Sequence, residues 1–357
     1  MTVNSQRVAD LIGFAHNHES EPARDCDLVA AKSALLTRLL GAAADAEVVG
    51  PMTEPGRLNG LVVHGGEIVA EFGDTTFVDE IASATKSFLG IVAGLAVDDG
   101  LIADLDGPVS GDVELAEFEP EHNRTITWRQ LLYQTSEWDG TLFGKVPRGH
   151  RGERLGQELQ TPGSFWEYND VRVNVLARAL LELFGRPLPD VLAERVMSPI
   201  GASDTWSWHG YSTSWVTVRG HAVQSVSGGS HWGGGIWMNS RDLALVGRLM
   251  LARGRWNGVR VLSESWIDAL RMPCALNPMH GLMWWLQHDA SGRQACFAAQ
   301  GGGAHQCIVV PDHDLVVVVR WIQDDAWPAF LDRALALMDD RPPLGPIRYR
   351  FERVNVR

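Results

Sequence analysis

The chain lacks the features that mark several large classes of protein. Its 357 residues carry 44 acidic and 31 basic side chains, a net charge of −13, without a cluster of basic residues. Because phosphate backbones and anionic lipids are bound through such clusters, neither nucleic acid nor a membrane is an expected partner. No run approaches the roughly 18 apolar residues of a membrane helix, and the first ten residues hold no apolar segment of signal-peptide length. We therefore expect a cytoplasmic location and a small-molecule substrate, and the oligomeric state is left open.

Cysteine is scarce, and metal-binding spacings are missing. The four cysteines form no close pair and are expected to be small core residues in a reducing compartment; they are Cys26, Cys274, Cys296 and Cys307. Of these, Cys296 and Cys307 are predicted on neighbouring strands. The twelve histidines include no His-Glu-x-x-His or comparable spacing, so we expect no metal and no other cofactor.

The elements also depart from the alternation of strand and helix that produces a parallel sheet. Strands are predicted early and late in the chain, at 61–64, 68–72, 281–287, 294–299, 306–310 and 315–321. Helices are predicted for the N-terminal segment to about residue 46, from Ser83, and at 171–184, 240–253, 263–271 and 327–338. A Gly-x-Ser-x-Gly elbow is missing too, which argues against an α/β-hydrolase with a Ser-His-Asp triad.

This order of elements predicts an α+β fold. Strands from both ends of the chain would assemble one antiparallel β-sheet flanked by helices. We expect residues 1–105 and 206–357 to form this α/β lobe and residues 106–205 to form an all-α insertion lobe. The functional site would then lie in the cleft between the two lobes.

The segment Ser83-Ala84-Thr85-Lys86 opens a long apolar stretch that is typical of a buried helix. A serine and a lysine three residues apart share one helix face, and first-turn amides have no intrahelical partner. Ser83 is therefore a candidate nucleophile with Lys86 as its activator. The alternative is a helix capped by Ser83 with a solvated Lys86, but a lysine in the first turn of so apolar a helix is expected to be partly buried.

Three further segments are candidates for the same site. Tyr168 precedes Asn169 and Asp170 at the start of a predicted helix, where the alternative role is a simple helix cap by either of the last two. Glycines at 301–303 follow a predicted strand and would let a ligand approach the backbone, unless they only form a hairpin turn. His231 and Trp232 have glycines on both sides, which suggests an irregular loop at the cleft and contact with substrate.

Taken in this order, these segments resemble the serine β-lactamase and penicillin-binding-protein-like superfamily. The resemblance is to its class C β-lactamase-like branch, which also holds esterases, D-amino-acid peptidases and 6-aminohexanoate-dimer hydrolases. It extends over most of the chain, since further segments resemble the family's helix before the second motif, its Gly-Gly turn with the following helix, and its last strands; they are 126–136, 233–243 and 311–319.

The resemblance implies a role for each candidate. Ser83 would be the acylated nucleophile and Lys86 its proton acceptor, while Tyr168 would exchange protons with Lys86. The backbone amides of Ser83 and Gly302 would form the oxyanion hole. Preorganised donors of this kind are worth about a hundredfold to a thousandfold in rate in other hydrolases.

The chain departs from the family pattern at two positions. The third motif, Lys-Thr-Gly in β-lactamases, falls on Ala299-Gln300-Gly301, so the cation that holds a substrate carboxylate is missing there. Asp170 stands where the family usually has Asn, and a carboxylate near Lys86 favours the ammonium form, which makes Tyr168 the expected resting base.

These departures favour a serine hydrolase that forms an acyl-enzyme with a carboxylic ester or small amide. One alternative is a β-lactamase or D-amino-acid peptidase or amidase of the same fold. The other is a non-catalytic relative that only binds a ligand.

Overall fold

The computed structural model describes residues 4–20, 51, 53–147, 157–229 and 234–338. Its strands are β1 (Asn59–His64), β2 (Glu67–Phe72), β3 (Asp79–Glu80), β4 (Ser207–Val218), β5 (His221–Val226), β6 (Gly235–Met238), β7 (Arg255–Trp256), β8 (Val259–Arg260), β9 (Trp285–His288), β10 (Gln294–Gly301), β11 (His305–Val310) and β12 (Leu315–Arg320). Its helices are α1 (Ser5–Asn17), α2 (Thr85–Asp98), α3 (Glu121–Arg124), α4 (Trp128–Leu132), α5 (Asp170–Phe184), α6 (Leu188–Leu192), α7 (Ser240–Leu251), α8 (Glu264–Leu270) and α9 (Trp327–Leu335).

The main sheet has six strands in the order β2-β1-β12-β11-β10-β9, and each neighbouring pair is antiparallel. The pairing of β1 with β12, with Leu61 opposite Val318, joins the early and late parts of the chain. This confirms the predicted α+β class with an antiparallel sheet flanked by helices.

Helices cover both faces of this sheet, which explains its continuous apolar strands. Because side chains alternate between faces, Val316 and Val318 of β12 belong to the core that includes α2 and α7, whereas Val317 packs with α1 and α9. Cys296 and Cys307 lie on the neighbouring strands β10 and β11 but in different cores, and both are free thiols.

A second antiparallel sheet, in the order β3-β6-β4-β5, was not predicted. Its longest strand, β4, mixes Ser, Thr, His and Gly with aromatic residues, so it lacks the regular apolar alternation by which strands are recognised. The register of β4 against β5 also shifts between Gly210 and Trp215. The strand predicted at 281–287 is in fact short, because Met283 has φ +64° and only residues 285–288 are extended.

The first core is continuous from the main sheet through α2 into the region 106–205. Leu89 of α2, Leu176 of α5 and Val318 of β12 all belong to it. The described residues of 106–205 form helices and turns without a strand, and the division into two lobes stays a prediction.

Within the described ranges, no helix is both long and apolar enough to cross a membrane. Of the N-terminal segment predicted as helical, α1 ends at Asn17 and residues 21–50 lie outside the described residues.

Candidate active site

Ser83 lies in a single 3₁₀ turn, Ala82–Ala84, directly before α2. The predicted helix start at Ser83 is therefore two residues early. In 3₁₀ geometry side chains three residues apart nearly eclipse each other, so Ser83 and Lys86 still face the same way. The Lys86 amine donates a hydrogen bond of 3.0 Å to the Ser83 hydroxyl. The serine is half-buried and the lysine is only 3% exposed.

Glycines allow two other segments to approach the Ser83 turn closely. A Cβ atom added to Gly301 would lie 2.2 Å from the carbonyl oxygen of Ile81, so the end of β10 touches the backbone just before Ser83. A Cβ added to Gly229 would lie 1.9 Å from the carbonyl oxygen of Ala82, and φ at Gly229 is +77°. Real Cβ atoms do not approach this closely, and residues with side chains rarely adopt that φ, so both approaches depend on glycine.

Lys86 is buried between three partners. Besides Ser83, its amine donates to the carbonyl oxygen of Gly228 at 3.2 Å and forms an ion pair of 2.9 Å with Asp170. Burial lowers the pKa of Lys86, but the Asp170 carboxylate and then Tyr168 favour the charged form, and the net pKa lies above its ordinary value. Lys86 is therefore held as an ammonium ion.

Asn169 and Asp170 divide two tasks at the start of α5. The Asn169 side chain accepts hydrogen bonds from the amides of Val171 and Arg172, at 3.1 and 3.3 Å, and so caps the helix. Asp170 is the first helical residue, 5% exposed, and its carboxylate faces Lys86. Of the two residues that were candidates for the helix cap, Asn169 is the one that caps α5.

Tyr168 is half-buried beside Lys86. The Lys86 nitrogen lies 5.0 Å from the centre of the tyrosine ring, and this ring also stacks on Trp285, with ring centres 5.8 Å apart. Gln134 holds the backbone on both sides of the tyrosine: it accepts from the Glu167 amide at 3.1 Å through its carbonyl and from the Asn169 amide at 3.0 Å through its side chain. Tyr168 thus stands in an irregular segment that is fixed at both flanks.

The glycine run forms the tip of the β10–β11 hairpin. Gln300 is 5% exposed and pairs with Gln306, while Gly302 is exposed at the tip. Gly301 lies against the Ser83 turn, and Gly302 is the next residue in the chain. The backbone amide of Gly302 is therefore one residue away from this contact. The other two predicted residues, His231 and Trp232, lie outside the described residues.

Sequence reasoning missed the network behind this hairpin. Arg320 is fully buried and donates to the carbonyl oxygens of Met238 and Glu80, at 2.9 and 2.7 Å. It also donates at 3.0 Å to Nδ1 of His305, whose pKa burial and the arginine hold well below its ordinary value. The neutral imidazole can therefore accept this bond. Arg320 thus links β12 with β11, β6 and β3, and β3 ends just before the Ser83 turn.

Lys145 was missed as well. It is half-buried in the loop after Leu142, with its nitrogen 3.9 Å from the ring centre of Tyr211. A compositional signal was present: the 31 basic residues include only three lysines, Lys32, Lys86 and Lys145. Two of these lysines, Lys86 and Lys145, lie close enough to the Asp170 carboxylate to be influenced by its charge.

The geometry suits nucleophilic acyl transfer. A half-exposed serine hydroxyl lies within hydrogen-bond distance of a buried amine, with a phenol and a carboxylate around that amine. A nucleophile, proton-transfer groups and a neighbouring backbone tip are the parts such a reaction needs. Among the described residues, no three side chains of His, Cys, Asp or Glu converge as metal ligands would.

Comparison with known proteins gives consistent matches. A sequence model of the Beta-lactamase family matches residues 52–337. The 6-aminohexanoate-dimer hydrolase of Paenarthrobacter ureafaciens is 25% identical over 301 residues, which cover 74% of this chain and 68% of that protein.

Two solved structures share the fold at low identity. A D-stereospecific amidohydrolase from Streptomyces sp. has a TM-score of 0.57 at 18% identity, and the match covers 84% of this chain and 97% of that one. A family VIII carboxylesterase has a TM-score of 0.56 at 15% identity, covering 90% of this chain and 99% of the other.

Proposed function

The chain belongs to the β-lactamase family, and on that premise we propose that it is a serine hydrolase that forms an acyl-enzyme on Ser83. Family membership confirms the resemblance noted in the sequence. The observation that carries the proposal is the 3.0 Å hydrogen bond between the Lys86 amine and the Ser83 hydroxyl, at a lysine that is 3% exposed. Charged side chains are rarely buried so deeply without a partner and a task.

The proposed reaction assigns each group one step. The Ser83 oxygen attacks the acyl carbon of the substrate while its proton passes to the oxygen of Tyr168, whose own hydroxyl proton is released in the same relay. As the bond between the acyl carbon and the leaving group breaks, that proton goes to the departing alkoxide or amine. Water then attacks the acyl-enzyme and the steps run in reverse, which regenerates Ser83. Lys86, an ammonium ion paired with Asp170, holds the serine oxygen in place and balances charge that develops near it.

The amides of Ser83 and Gly302 are the proposed oxyanion hole. The contact of Gly301 with the backbone of Ile81 supports this, because it brings the tip of the β10–β11 hairpin beside the Ser83 turn. Donors held by a sheet and a buried network need no rearrangement as negative charge develops on the substrate oxygen.

A carboxylic ester or a small amide is the proposed substrate. Ala299, Gln300 and Gly301 provide no cation on β10, so the carboxylate that a β-lactam presents to the third motif has no charged partner there. An alkoxide also leaves with less help from an acid than an amine requires. The similarity to a 6-aminohexanoate-dimer hydrolase is the reason that the proposed substrates include a linear amide.

The nucleophile is tested by covalent labelling with a fluorophosphonate and by hydrolysis of p-nitrophenyl butanoate. We expect wild type to be labelled and Ser83→Ala to be unlabelled and at least about a thousandfold slower, since loss of such a nucleophile costs up to about a millionfold. Ser87→Ala is the matched control, because Ser87 lies one residue beyond Lys86 and its hydroxyl donates to the carbonyl of Met283 at 2.9 Å. It should still be labelled.

Two results would contradict the proposal. If Ser83→Ala keeps more than about a thousandth of the wild-type rate, another group is the nucleophile. If the folded wild-type protein is neither labelled nor active on esters, short amide oligomers, D-amino-acid amides or a cephalosporin, the protein is a non-catalytic relative that binds a ligand.

A further inference from the structure

Lys145 is a cation beside Tyr211 whose charge the described residues leave without an ion pair. Its nitrogen lies over the face of Tyr211, 3.9 Å from the ring centre, and the nearest acidic influence on it is the Asp170 carboxylate, which already pairs with Lys86. An aromatic face attracts a cation but does not neutralise it. An additional anion at this position would therefore be stabilised.

Lys145 is linked to Ser83 through its contact with the Tyr211 ring and a short series of hydrogen bonds that starts at the Tyr211 hydroxyl. The Tyr211 hydroxyl and the Ser227 hydroxyl are 2.6 Å apart, and Ser227 accepts from the Gly229 amide at 3.1 Å. The carbonyl oxygen of Gly229 in turn accepts from the Ser83 hydroxyl at 3.4 Å. Only the Tyr211 side chain and the short segment 227–229 therefore stand between Lys145 and Ser83 in this series of contacts.

The loop that carries Lys145 is held in place. Leu142 and Lys145 exchange two backbone hydrogen bonds of 2.9 Å, which closes a tight turn. Its tip is tied to β4, where Thr213 donates to the Phe143 carbonyl at 3.2 Å. Its far end is tied to the start of α5, where Asn169 donates to the Pro147 carbonyl at 3.0 Å. A lysine on a preorganised loop loses less entropy on binding a ligand than one on a free chain.

The residue type agrees with a binding role. Only three of the 31 basic residues are lysines, and a lysine ammonium binds an anion as a compact point charge. Burial lowers the pKa of Lys145 to about 8, while the Asp170 carboxylate opposes the fall, so the amine is mostly charged at neutral pH.

We propose that Lys145 binds a carboxylate of the substrate, so that the substrate class is an ester or small amide bearing a negative charge. This inference rests on the proposed hydrolase function. The anion would lie beside Tyr211 on the 142–147 loop, and not along β10, where the third-motif lysine of β-lactamases stands. It therefore adds a charge requirement without restoring the β-lactam pattern.

The experiment compares two pairs of esters, each made of one anion and one neutral compound with the same carbon skeleton. On the acyl side, 4-nitrophenyl hydrogen glutarate is compared with 4-nitrophenyl pentanoate; on the leaving-group side, 4-carboxyphenyl butanoate is compared with 4-carbamoylphenyl butanoate. We expect wild type to prefer the anion of one pair by about tenfold or more in kcat/KM, the size of a charge-assisted hydrogen bond. Lys145→Met should abolish that preference through KM, and Lys145→Arg should retain most of it.

Arg248→Met is the matched control, since Arg248 also lies over an aromatic ring, 4.9 Å from the centre of Trp256, on α7. It should leave the preference for the anion as it is in wild type. The inference is overturned if wild type prefers neither anion, or if Lys145→Met slows charged and neutral substrates equally. Loss of activity in Lys145→Arg as large as in Lys145→Met would indicate proton transfer in place of anion binding and would overturn it too.

A binding measurement separates this inference from the proposed hydrolysis. Glutarate and neutral glutaramide are titrated by calorimetry into Ser83→Ala protein with and without Lys145→Met. Tighter binding of glutarate that is lost with Lys145→Met supports the inference even if no ester is hydrolysed. Equal binding of glutarate to both proteins overturns it even if the esters are hydrolysed.

Discussion

Replacing Gly229 by alanine tests whether the 228–229 segment positions Ser83. An alanine Cβ at this position would lie 1.9 Å from the carbonyl oxygen of Ala82 and 2.7 Å from the Thr85 hydroxyl. Since real Cβ contacts stay beyond about 3 Å, the Gly229 segment and the Ala82 backbone must separate by more than 1 Å. Ala82 precedes Ser83, so the proposed nucleophile moves with it.

The structure offers a control that separates strain from overlap. Gly220, in the β4–β5 turn, has φ +81°, close to the +77° of Gly229, but a Cβ there meets nothing within 4 Å. A side chain in this left-handed region costs about 1–2 kcal/mol, which both variants share. Overlap adds about 1–3 kcal/mol to Gly229→Ala alone. We therefore expect Gly220→Ala to lose about 1–2 kcal/mol of unfolding free energy and Gly229→Ala about 2–5 kcal/mol.

The same displacement should also slow the reaction of Ser83. A misplacement of about 1 Å at a reacting group typically costs about a hundredfold in rate. The assays are urea denaturation at 25 °C and the second-order rate of fluorophosphonate labelling, which does not depend on the natural substrate. If Gly229→Ala is labelled as fast as Gly220→Ala, the Gly229 contact does not position Ser83, whatever happens to stability.

Two further predictions concern buried charges. Asp170→Asn removes the group that raises the pKa of Lys86 while burial continues to lower it. Because the proposed mechanism uses the ammonium form of Lys86, the alkaline limb of the pH profile of kcat/KM should move to lower pH; an unmoved limb, as expected for the control Glu182→Gln on the same helix, would show that Asp170 does not set the charge of Lys86. Arg320→Met leaves buried acceptors unpaired and should lower the unfolding free energy by about 3–5 kcal/mol, against less than about 1 kcal/mol for the exposed pair removed by Arg186→Met; similar losses in urea denaturation would contradict this.

The main sheet was predictable because its signal is local. Strands such as β12, with all six residues buried, are covered by helices on both faces and appear in the sequence as unbroken apolar runs. The second sheet was not predictable, since β4 owes its pairing to β5 and β6 and not to any apolar alternation of its own. Sheet pairing of polar, glycine-containing segments depends on neighbours that are distant in sequence.

The candidate site divides in the same way. Ser83 and Lys86 lie on the same side of a helical turn because they are three residues apart. The helix begins at Asp170 because the side chain of Asn169 caps it. Such contacts are set by backbone geometry, so residue types and spacing predict them. The family resemblance also depends on the order of such short motifs along the chain.

Residue types and their spacing alone predicted the fold class, the order of the motifs and the pairing of serine with lysine. The packed structure was needed to show that Asp170 lies 2.9 Å from Lys86, that Gly229 touches the Ser83 turn, and that Lys145 lies over the ring of Tyr211. The physical reason is that the charge state of a buried amine depends on distances of a few ångströms to groups far away in sequence. Those distances are set by how helices and sheets pack, which no local pattern encodes.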